Sequence, residues 1–331
     1  MNKDIKKIAI VRLSALGDIV NSAVVLQFIK EHYTEAEIDW ITEEAFASIL
    51  HNHPLLNQVH TVNIKSIKKS KSIKEFRALL TKLRNLPQYD IIIDMQGLLK
   101  SAIVARLIGP NTYGFDKNST REGVAALLYK KSASIAYEEN IVKRNAVVVS
   151  SALSFEIDDT MLQSKSAVFP ISEEFQLSSD KAQVAFVIGA SWQSKIYPKE
   201  LLLEVINALK VDAHIIWGSD IEREDALWLA ARSEYAQLAP KLLLNSLVSY
   251  ISAMDLLIGN DTGPTHMAWA QNIPSITLFG PTNSRMIYQT PQNIAIESPS
   301  EVNILKINRE DFSIKEIDPQ VIITQAKELL K

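Results

Sequence analysis

The sequence contains no cysteine, which excludes disulfide bonds and thiolate metal sites. No stretch approaches the roughly 18 uninterrupted apolar residues that a membrane-spanning helix needs. The basic start, MNKDIKKIAIV, lacks the apolar core and the small-residue cleavage site of a signal peptide. These absences predict a soluble protein of the cytoplasm.

Metal-binding and cofactor-binding patterns are missing as well. There is no Asp-x-Asp motif and no cluster of His and carboxylate residues at metal-ligand spacing. The turn after the first apolar run holds a single glycine, Gly17, where a nicotinamide-binding Rossmann domain carries G-x-G-x-x-G. The sequence therefore disfavours a nicotinamide oxidoreductase and predicts a site without metal or cofactor.

What is present is an ordinary globular composition, with 331 residues of which 47% are hydrophobic and 22% charged. That length predicts two domains of about 150 residues each. Short β-branched runs alternate with stretches of helical periodicity, which indicates βαβ units on parallel sheets and a doubly wound α/β fold. A polar stretch at 156–180 interrupts the pattern, so we predict domains at 1–165 and 166–331. The final helix, 318–331, is a candidate to pack back on the first domain.

The polar motifs of the chain all follow predicted strands. Strands are predicted at 8–13, 37–42, 59–64, 89–96, 184–190, 214–218, 255–261 and 275–280. Helices are predicted at 19–32, 43–50, 73–84, 98–108, 138–155, 198–210, 221–233, 246–253 and from 264 onward. Ligands of open α/β sheets bind beyond the carboxyl ends of the strands. In two such domains in succession, the carboxyl ends of the strands are expected to line a shared cleft.

The first motif, Arg12-Leu13-Ser14-Ala15-Leu16-Gly17-Asp18, runs from the first strand into the first helix. Gly17 permits a tight turn and a close approach of the backbone to a ligand. The spacing leaves two interpretations of Asp18 open. It is either a carboxylate that projects from the strand end toward the cleft, or the N-cap of a helix that begins at Ile19.

The second motif covers residues 259–266, GNDTGPTH, after another apolar strand. Pro264 suits a first helical position because it lacks an N–H, and the remaining N–H groups of that turn predict a phosphate site. Thr262, Thr265 and His266 can add side-chain hydrogen bonds. The alternative is a simple capped turn with Asp261 as the N-cap.

Four weaker candidates also follow strands. Lys195 is a mobile point charge suited to neutralising a leaving diphosphate, although a lone loop lysine is usually just solvated. Gln96 and Lys100 are placed to reach the cleft, and Glu222 to accept hydrogen bonds from a ribose. Each of these three is equally compatible with a surface position on a helix.

Positive charge is concentrated in residues 65–84, KSIKKSKSIKEFRALLTKLR, where eight cations face one acid, Glu75. Two interpretations stay open: a solvated helix face with a loop, or a rim that attracts an anionic acceptor or a membrane surface. A nucleic-acid-binding protein would be more basic overall and would show interleaved aromatic residues. No nucleic-acid partner is therefore predicted.

Taken together, these motifs resemble the ADP-heptose:lipopolysaccharide heptosyltransferase family over nearly the whole chain, and within it the heptosyltransferase I branch most. The resemblance is carried by the Lys195 loop and by LSALGD (13–18), DMQGLLKSA (94–102), GFDKNSTRE (114–122), WGSDIE (217–222), NDTGPTH (260–266) and LFGPT (278–282). It implies a GT-B fold, in which two Rossmann-like domains face a central cleft. It also implies an inverting glycosyltransferase that needs no metal ion.

The resemblance further implies the partners. The donor would be ADP-L-glycero-D-manno-heptose, bound by the second domain. The acceptor, bound by the first domain, would be a 3-deoxy-D-manno-octulosonic acid (Kdo) residue of lipid A. The protein would then associate peripherally with the cytoplasmic face of the inner membrane.

Individual residues receive roles from the same resemblance. Asp18 matches the general base, and Lys195 matches the lysine of the donor diphosphate. The other positions that match donor contacts are Ser14, Gly17, Ser191, Glu222 (ribose), Asp261 (heptose), Thr262, Gly263 and His266. The positions that match acceptor contacts are Gln96, Lys100 and Arg121.

The chain departs from the family pattern at four positions. Ala15 and Ala190 stand where family members can carry hydroxyl residues, and Trp192 and Gln193 replace more polar loop residues. Three other functions stay open: a heptosyltransferase for a later core position, a nucleotide-sugar epimerase or hydrolase on the same scaffold, and a non-enzymatic ADP-sugar-binding protein.

Overall fold

The computed structural model describes residues 5–177 and 180–331. The chain divides into two compact units, Met1–Pro170 and Ile171–Lys331. This boundary lies inside the predicted linker, a few residues beyond the predicted division at 165. Residues 1–4 of the amino-terminal segment and residues 178–179 of the predicted linker lie outside the described part of the chain.

The first unit contains a six-stranded sheet whose strands all run parallel, in the order β3-β2-β1-β4-β5-β6. Its strands are β1 (Lys7–Val11), β2 (Glu37–Glu43), β3 (Gln58–Val62), β4 (Ile91–Asp94), β5 (Thr112–Phe115) and β6 (Lys131–Ala133). Its helices are α1 (Leu16–Ala23), α2 (Val25–His32), α3 (Ile64–Ser70), α4 (Ile73–Arg84), α5 (Leu99–Ile108), α6 (Ile141–Leu153) and α7 (Asp159–Gln163). Short 3₁₀ helices lie at Glu44–Ile49 and Gly123–Leu128.

Strand β1 shows why this sheet is covered on both faces. Its residues from Ile8 to Val11 are fully buried, as expected of a parallel strand with helices above and below. Ala9 and Val11 pack in one cluster with Leu83 of α4 and Val104 of α5. Because side chains alternate along a strand, the residues between them face the opposite side of the sheet.

The second unit repeats this architecture, with the parallel order β12-β11-β10-β7-β8-β9. Its strands are β7 (Gln183–Val187), β8 (Asp212–Ile216), β9 (Ala236–Leu238), β10 (Leu256–Asn260), β11 (Ser275–Phe279) and β12 (Asn293–Glu297). Its helices are α8 (Lys199–Leu209), α9 (Asp220–Ala230), α10 (Leu244–Ser252), α11 (Gly263–Ala270) and α12 (Pro319–Leu329). Short 3₁₀ helices lie at Gln193–Lys195, Ser284–Met286 and Ser313–Glu316.

The final helix, α12, packs on α8 and β11 within the second unit. Its buried residues Ile322, Ile323 and Ala326 belong to the same core as Val205 and Ile206 of α8. The helix thus completes the core of its own unit. Asp318 caps this helix by accepting from the Gln320 N–H, and Pro319 takes the first helical position.

The strand orders determine which loops are neighbours. In the first unit β1 and β4 are adjacent, so the loops after Val11 and Asp94 meet at one edge of the sheet. In the second unit β10 lies between β7 and β11, so the loops that follow these three strands converge. The predicted doubly wound α/β class is confirmed for both units. Within residues 5–177 and 180–331, no helix has the length and apolar character needed to cross a bilayer.

Candidate active site

Asp18 lies in the first turn of α1, just beyond the carboxyl end of β1. Its Oδ2 accepts a hydrogen bond from the N–H of Ala15 at 3.0 Å, and its Oδ1 lies 2.7 Å from Nη2 of Arg12. The helix begins at Leu16, so the predicted start at Ile19 is wrong, and Asp18 caps the helix from inside the first turn. Its side chain is 24% exposed, which leaves the carboxylate accessible.

Arg12 holds this carboxylate in place and had no predicted role. The residue is only 4% exposed, and its Nη1 donates to the carbonyl oxygen of Met95, at the end of the neighbouring strand. A buried guanidinium requires both charge and hydrogen-bond partners. The contact with Asp18 therefore stabilises the cation and fixes the orientation of the acid.

The loop after β4 brings predicted acceptor residues to the same place. The Nζ of Lys100 donates to the Oγ of Ser14 at 3.0 Å. The Oε1 of Gln96 accepts from the N–H of Leu13 at 2.9 Å, while its Nε2 lies 3.5 Å from the Oγ of Ser14. The predicted residues Ser14, Gln96 and Lys100 are thus assembled around the loop that carries Asp18.

Asp94 shapes this second loop. Its Oδ1 accepts from the N–H groups of Gln96 and Gly97, and its Oδ2 accepts from the hydroxyl of Tyr129 at 2.7 Å. Burial raises the pKa of Asp94, although these hydrogen bonds act in the opposite direction. Gly97 has φ +68°, a conformation in which glycine is favoured, and a Cβ there would lie 2.7 Å from the Phe115 ring.

Arg121 is exposed, in the segment between β5 and the 3₁₀ helix at Gly123–Leu128. Its neighbours fix this segment against the start of α5. The hydroxyl of Thr120 donates to the carbonyl of Gly97, and the Oε2 of Glu122 accepts from the N–H of Leu99 at 2.8 Å. Arg121 therefore lies between two residues that are hydrogen-bonded to the start of α5, the helix that carries Lys100.

In the second unit a buried carboxylate, that of Asp261, joins three loops. Its Oδ2 lies 2.5 Å from Nζ of Lys195 and accepts from the hydroxyl of Thr282 at 2.7 Å. Its Oδ1 lies 3.1 Å from Nε2 of His266. Burial alone would raise the pKa of Asp261, but the charge of Lys195 and the hydrogen bond from His266 outweigh it and hold the pKa well below its usual range. Asp261 is therefore ionised, and Thr282 is a partner that the sequence prediction missed.

The start of α11 has the architecture predicted for a phosphate site. Thr262 is the N-cap, the helix begins at Gly263, and Pro264 lies in the first turn. Asn260 fixes this turn, because its Nδ2 donates to the carbonyl of Ile188 at 2.9 Å. The Nδ1 of His266 is buried and, among the residues that the structure describes, has no hydrogen-bond partner. A helix start with a free polar atom suits an anionic ligand.

The loop after β7 carries Lys195 in a short 3₁₀ helix at Gln193–Lys195. Lys195 is 8% exposed and Ser194 only 1%, whereas Ser191 is exposed. The Oγ of Ser194, like His266 Nδ1, lacks a hydrogen-bond partner within the described residues. The predicted donor lysine is therefore not a solvated surface residue.

Glu222 forms the capping box of α9. Its Oε2 accepts from the N–H of Gly218 at 2.6 Å and of Ser219 at 3.2 Å, and Ser219 Oγ accepts from the Glu222 N–H. Its carboxylate also lies against Gly189, at the end of β7, where a Cβ would come within 2.3 Å of Oε1. Glu222 thus borders the Lys195 loop, and its ribose contact stays a prediction.

Residues 76–310 match the sequence profile of glycosyltransferase family 9 (heptosyltransferase). The chain belongs to this family. It is 39% identical to lipopolysaccharide heptosyltransferase 1 of Campylobacter coli, over 98% of each chain. It is 29% identical to lipopolysaccharide heptosyltransferase 1 of Pseudomonas aeruginosa, over 84% of this chain and 79% of the relative.

Heptosyltransferases are also found among the solved structures that resemble this chain. Escherichia coli heptosyltransferase WaaC with ADP-2-deoxy-2-fluoro heptose has a TM-score of 0.81 at 24% identity, covering 97% of this chain and 99% of that one. The predicted family, GT-B fold and glycosyltransferase class are therefore confirmed. The individual roles of the site residues stay predictions. Within the described ranges, no group of three or more His, Asp or Glu side chains has metal-binding geometry.

Two Lys–Asp pairs of the second unit allow the Asp261 interaction to be tested. Replacing Asp261 by Asn leaves Lys195 buried without a counter-charge, which we expect to lower the free energy of unfolding by about 3–5 kcal/mol at pH 7. The matched control is Asp225→Asn, which breaks the pair with Lys199. Those side chains are 34% and 37% exposed, so the expected loss is at most about 1 kcal/mol.

The effect should depend on pH. The folded-state pKa of Asp261 is lowered, so its stabilisation is fully present above the ordinary carboxyl value of about 4 and is lost as the pH falls further. The difference between wild type and Asp261→Asn should therefore narrow below about pH 4. Urea unfolding of the full chain at several pH values measures this, and equal losses for both variants would contradict the buried-pair assignment.

Proposed function

We propose that this heptosyltransferase transfers L-glycero-D-manno-heptose, with inversion and without a metal ion, from ADP-heptose to the Kdo of lipid A. The reaction would belong to the assembly of the lipopolysaccharide inner core. The proposal rests chiefly on the 39% identity to a lipopolysaccharide heptosyltransferase 1 over 98% of both chains. Similarity at nearly full length covers both the acceptor-side and the donor-side motifs.

The geometry of Asp18 is consistent with a general base. Its two hydrogen-bond partners, Ala15 N–H and Arg12, occupy two of the roughly four lone-pair positions of a carboxylate. The accessible carboxylate can therefore still accept a proton from the acceptor hydroxyl while that oxygen attacks the anomeric carbon of the donor. General-base assistance of this kind contributes about 10²–10⁴-fold to the rate.

Negative charge grows on the departing ADP in the same step. Lys195 uses one of its three N–H groups on Asp261, so others stay free for a phosphate oxygen. The first turn of α11 adds backbone N–H groups and the positive end of a helix dipole. We assign the stabilisation of the leaving diphosphate to these two features.

The first unit offers cations for an anionic acceptor. Lys100 lies 3.0 Å from Ser14, four residues before Asp18 in the chain, and Arg121 is exposed in a segment fixed to the start of the same helix. Carboxylate and phosphate groups are the natural partners of such side chains. Kdo carries a carboxylate, so these residues support a Kdo-bearing acceptor.

The basic segment, which we define as residues 65–84, supports contact with the cytoplasmic face of the inner membrane. It forms α3, which buries no residue, and α4, which buries only Leu83. Ile73 and Phe76 are 69% and 50% exposed among its cations. Exposed apolar side chains mixed with lysines are typical of helices that lie on anionic lipid surfaces.

The direct test incubates the full chain with ADP-heptose and Kdo-lipid A, then weighs the product by mass spectrometry, with and without excess EDTA. We expect one added heptose and equal yields in both arms. Free heptose and ADP in the absence of acceptor would indicate a hydrolase. Transfer only to an already heptosylated core would indicate a later step, and a loss restored by Mg²⁺ would contradict the metal-free mechanism.

Two substitutions of Asp18 separate its two interpretations. Asp18→Ala removes both the helix cap and the base, whereas Asp18→Asn keeps an oxygen that can accept from Ala15. We expect both to lower kcat by about 10²–10⁴-fold, because neither side chain can take up the proton. ADP binding, measured by calorimetry, should change little. An Asp18→Asn protein with near wild-type turnover would leave only the capping role.

The basic segment is tested by replacing Lys68, Lys69, Lys71 and Lys74 together with Gln. We expect the apparent KM for lipid acceptor to rise at least about tenfold at low salt, since each lysine near an anionic surface contributes about 1 kcal/mol. The difference should shrink at high salt. The matched control replaces four exposed lysines of the second unit, Lys210, Lys241, Lys306 and Lys331. An unchanged KM in the quadruple variant would indicate that the segment is only a solvated helix face.

A further inference from the structure

Trp192 gathers two cations at the loop that carries Lys195. The Nζ of Lys195 lies 5.5 Å from the centre of the Trp192 ring, and the guanidinium carbon of Arg309 lies 4.4 Å from it. The two cations are therefore no more than about 10 Å apart. Tryptophan offers the strongest aromatic platform for a cation.

Arg309 is brought to this loop by the segment that follows β12. The 3₁₀ helix at Ser313–Glu316 packs against the 3₁₀ helix of Lys195. The segment has hydrogen bonds of its own, since Ser300 donates to Asp311 at 2.7 Å and the hydroxyls of Ser298 and Ser313 lie 2.8 Å apart. The contact between Arg309 and Trp192 is thus additional to these anchors.

Arg309 can supply positive charge that the donor site otherwise lacks. The charge of Lys195 is largely balanced by Asp261, at 2.5 Å, so the pair presents little net positive charge to a diphosphate. Arg309 is exposed, and its planar guanidinium can bind phosphate oxygens through two parallel N–H groups. A flat ring beneath the guanidinium leaves the edge that carries those N–H groups free.

We propose that Arg309 is a second cation for the β-phosphate of the nucleotide-sugar donor, and that Trp192 is the residue that positions it beside Lys195. This assignment rests on the proposed function, because it requires an ADP-sugar donor. The β-phosphate is the group on which charge accumulates when the bond to the sugar breaks. Arg309 would therefore act together with Lys195 on the leaving group.

The first experiment titrates the full chain with ADP and with AMP, which lacks the β-phosphate. We expect Arg309→Gln to weaken ADP binding about tenfold, and AMP binding by less than about twofold. Arg309→Lys, which keeps the charge but loses the planar fork, should lie in between. The matched control, Lys306→Gln, removes an exposed cation of the same segment and should leave both affinities unchanged.

The second experiment tests the positioning role of Trp192. We expect Trp192→Leu to weaken ADP binding to a similar extent, and Trp192→Phe, which keeps an aromatic face, to restore most of it. In the double variant with Arg309→Gln the two losses should not add, because both substitutions remove the same interaction. Thermal unfolding of each variant shows that it is folded.

The outcomes separate this inference from the donor assignment. Wild-type protein that fails to bind ADP would overturn the donor itself. If wild type binds ADP but Arg309→Gln binds it equally well, or loses ADP and AMP affinity equally, Arg309 does not contact the β-phosphate. Fully additive losses in the double variant would show that Trp192 does not act through Arg309.

Discussion

Asp261 places a negative charge at the buried end of β10, and a buried carboxylate is stable only when cations and hydrogen-bond donors surround it. Its partners come from three segments that follow strands: Lys195 after β7, His266 in α11 after β10, and Thr282 after β11. These segments are neighbours because β10 lies between β7 and β11 in the sheet. One ion therefore joins the ends of the three central strands, and the position of the proposed diphosphate lysine depends on it.

The first unit uses the opposite arrangement at the same place in its fold. There the buried charge is the cation Arg12, which joins the ends of β1 and β4 through Met95, and the carboxylate of Asp18 is the more exposed partner. This difference separates the roles of the two acids. Asp261 is enclosed by three donors and has little capacity to take up a proton, whereas Asp18 keeps free lone pairs and access to a ligand.

The sequence predicts the doubly wound class because β1, β4, β7 and β10 are continuous apolar runs. The positions of Asp18, Lys195 and Asp261 follow from that class, since ligands bind at strand ends. Strands β6 and β9 were missed because each is an edge strand of only three residues, and β5 and β12 were missed as well. Arg12 was missed because its buried carbonyl partner, Met95, lies 83 residues away, and Thr282 because Asp261 lies 21 residues before it. The capping box of Glu222, by contrast, was readable from Ser219-x-x-Glu222.

Trp192 shows how an aromatic side chain can organise charge beside a ligand site. Its indole offers a flat surface that attracts cations without neutralising them. An acid at this position would cancel the charge of Lys195 or Arg309, as Asp261 largely does for Lys195. An aromatic ring brings the two cations together without adding a negative charge, so the charge of Arg309 stays available to a ligand. The loop thus gathers positive charge through the ring, and the buried ion pair beside it supplies rigidity.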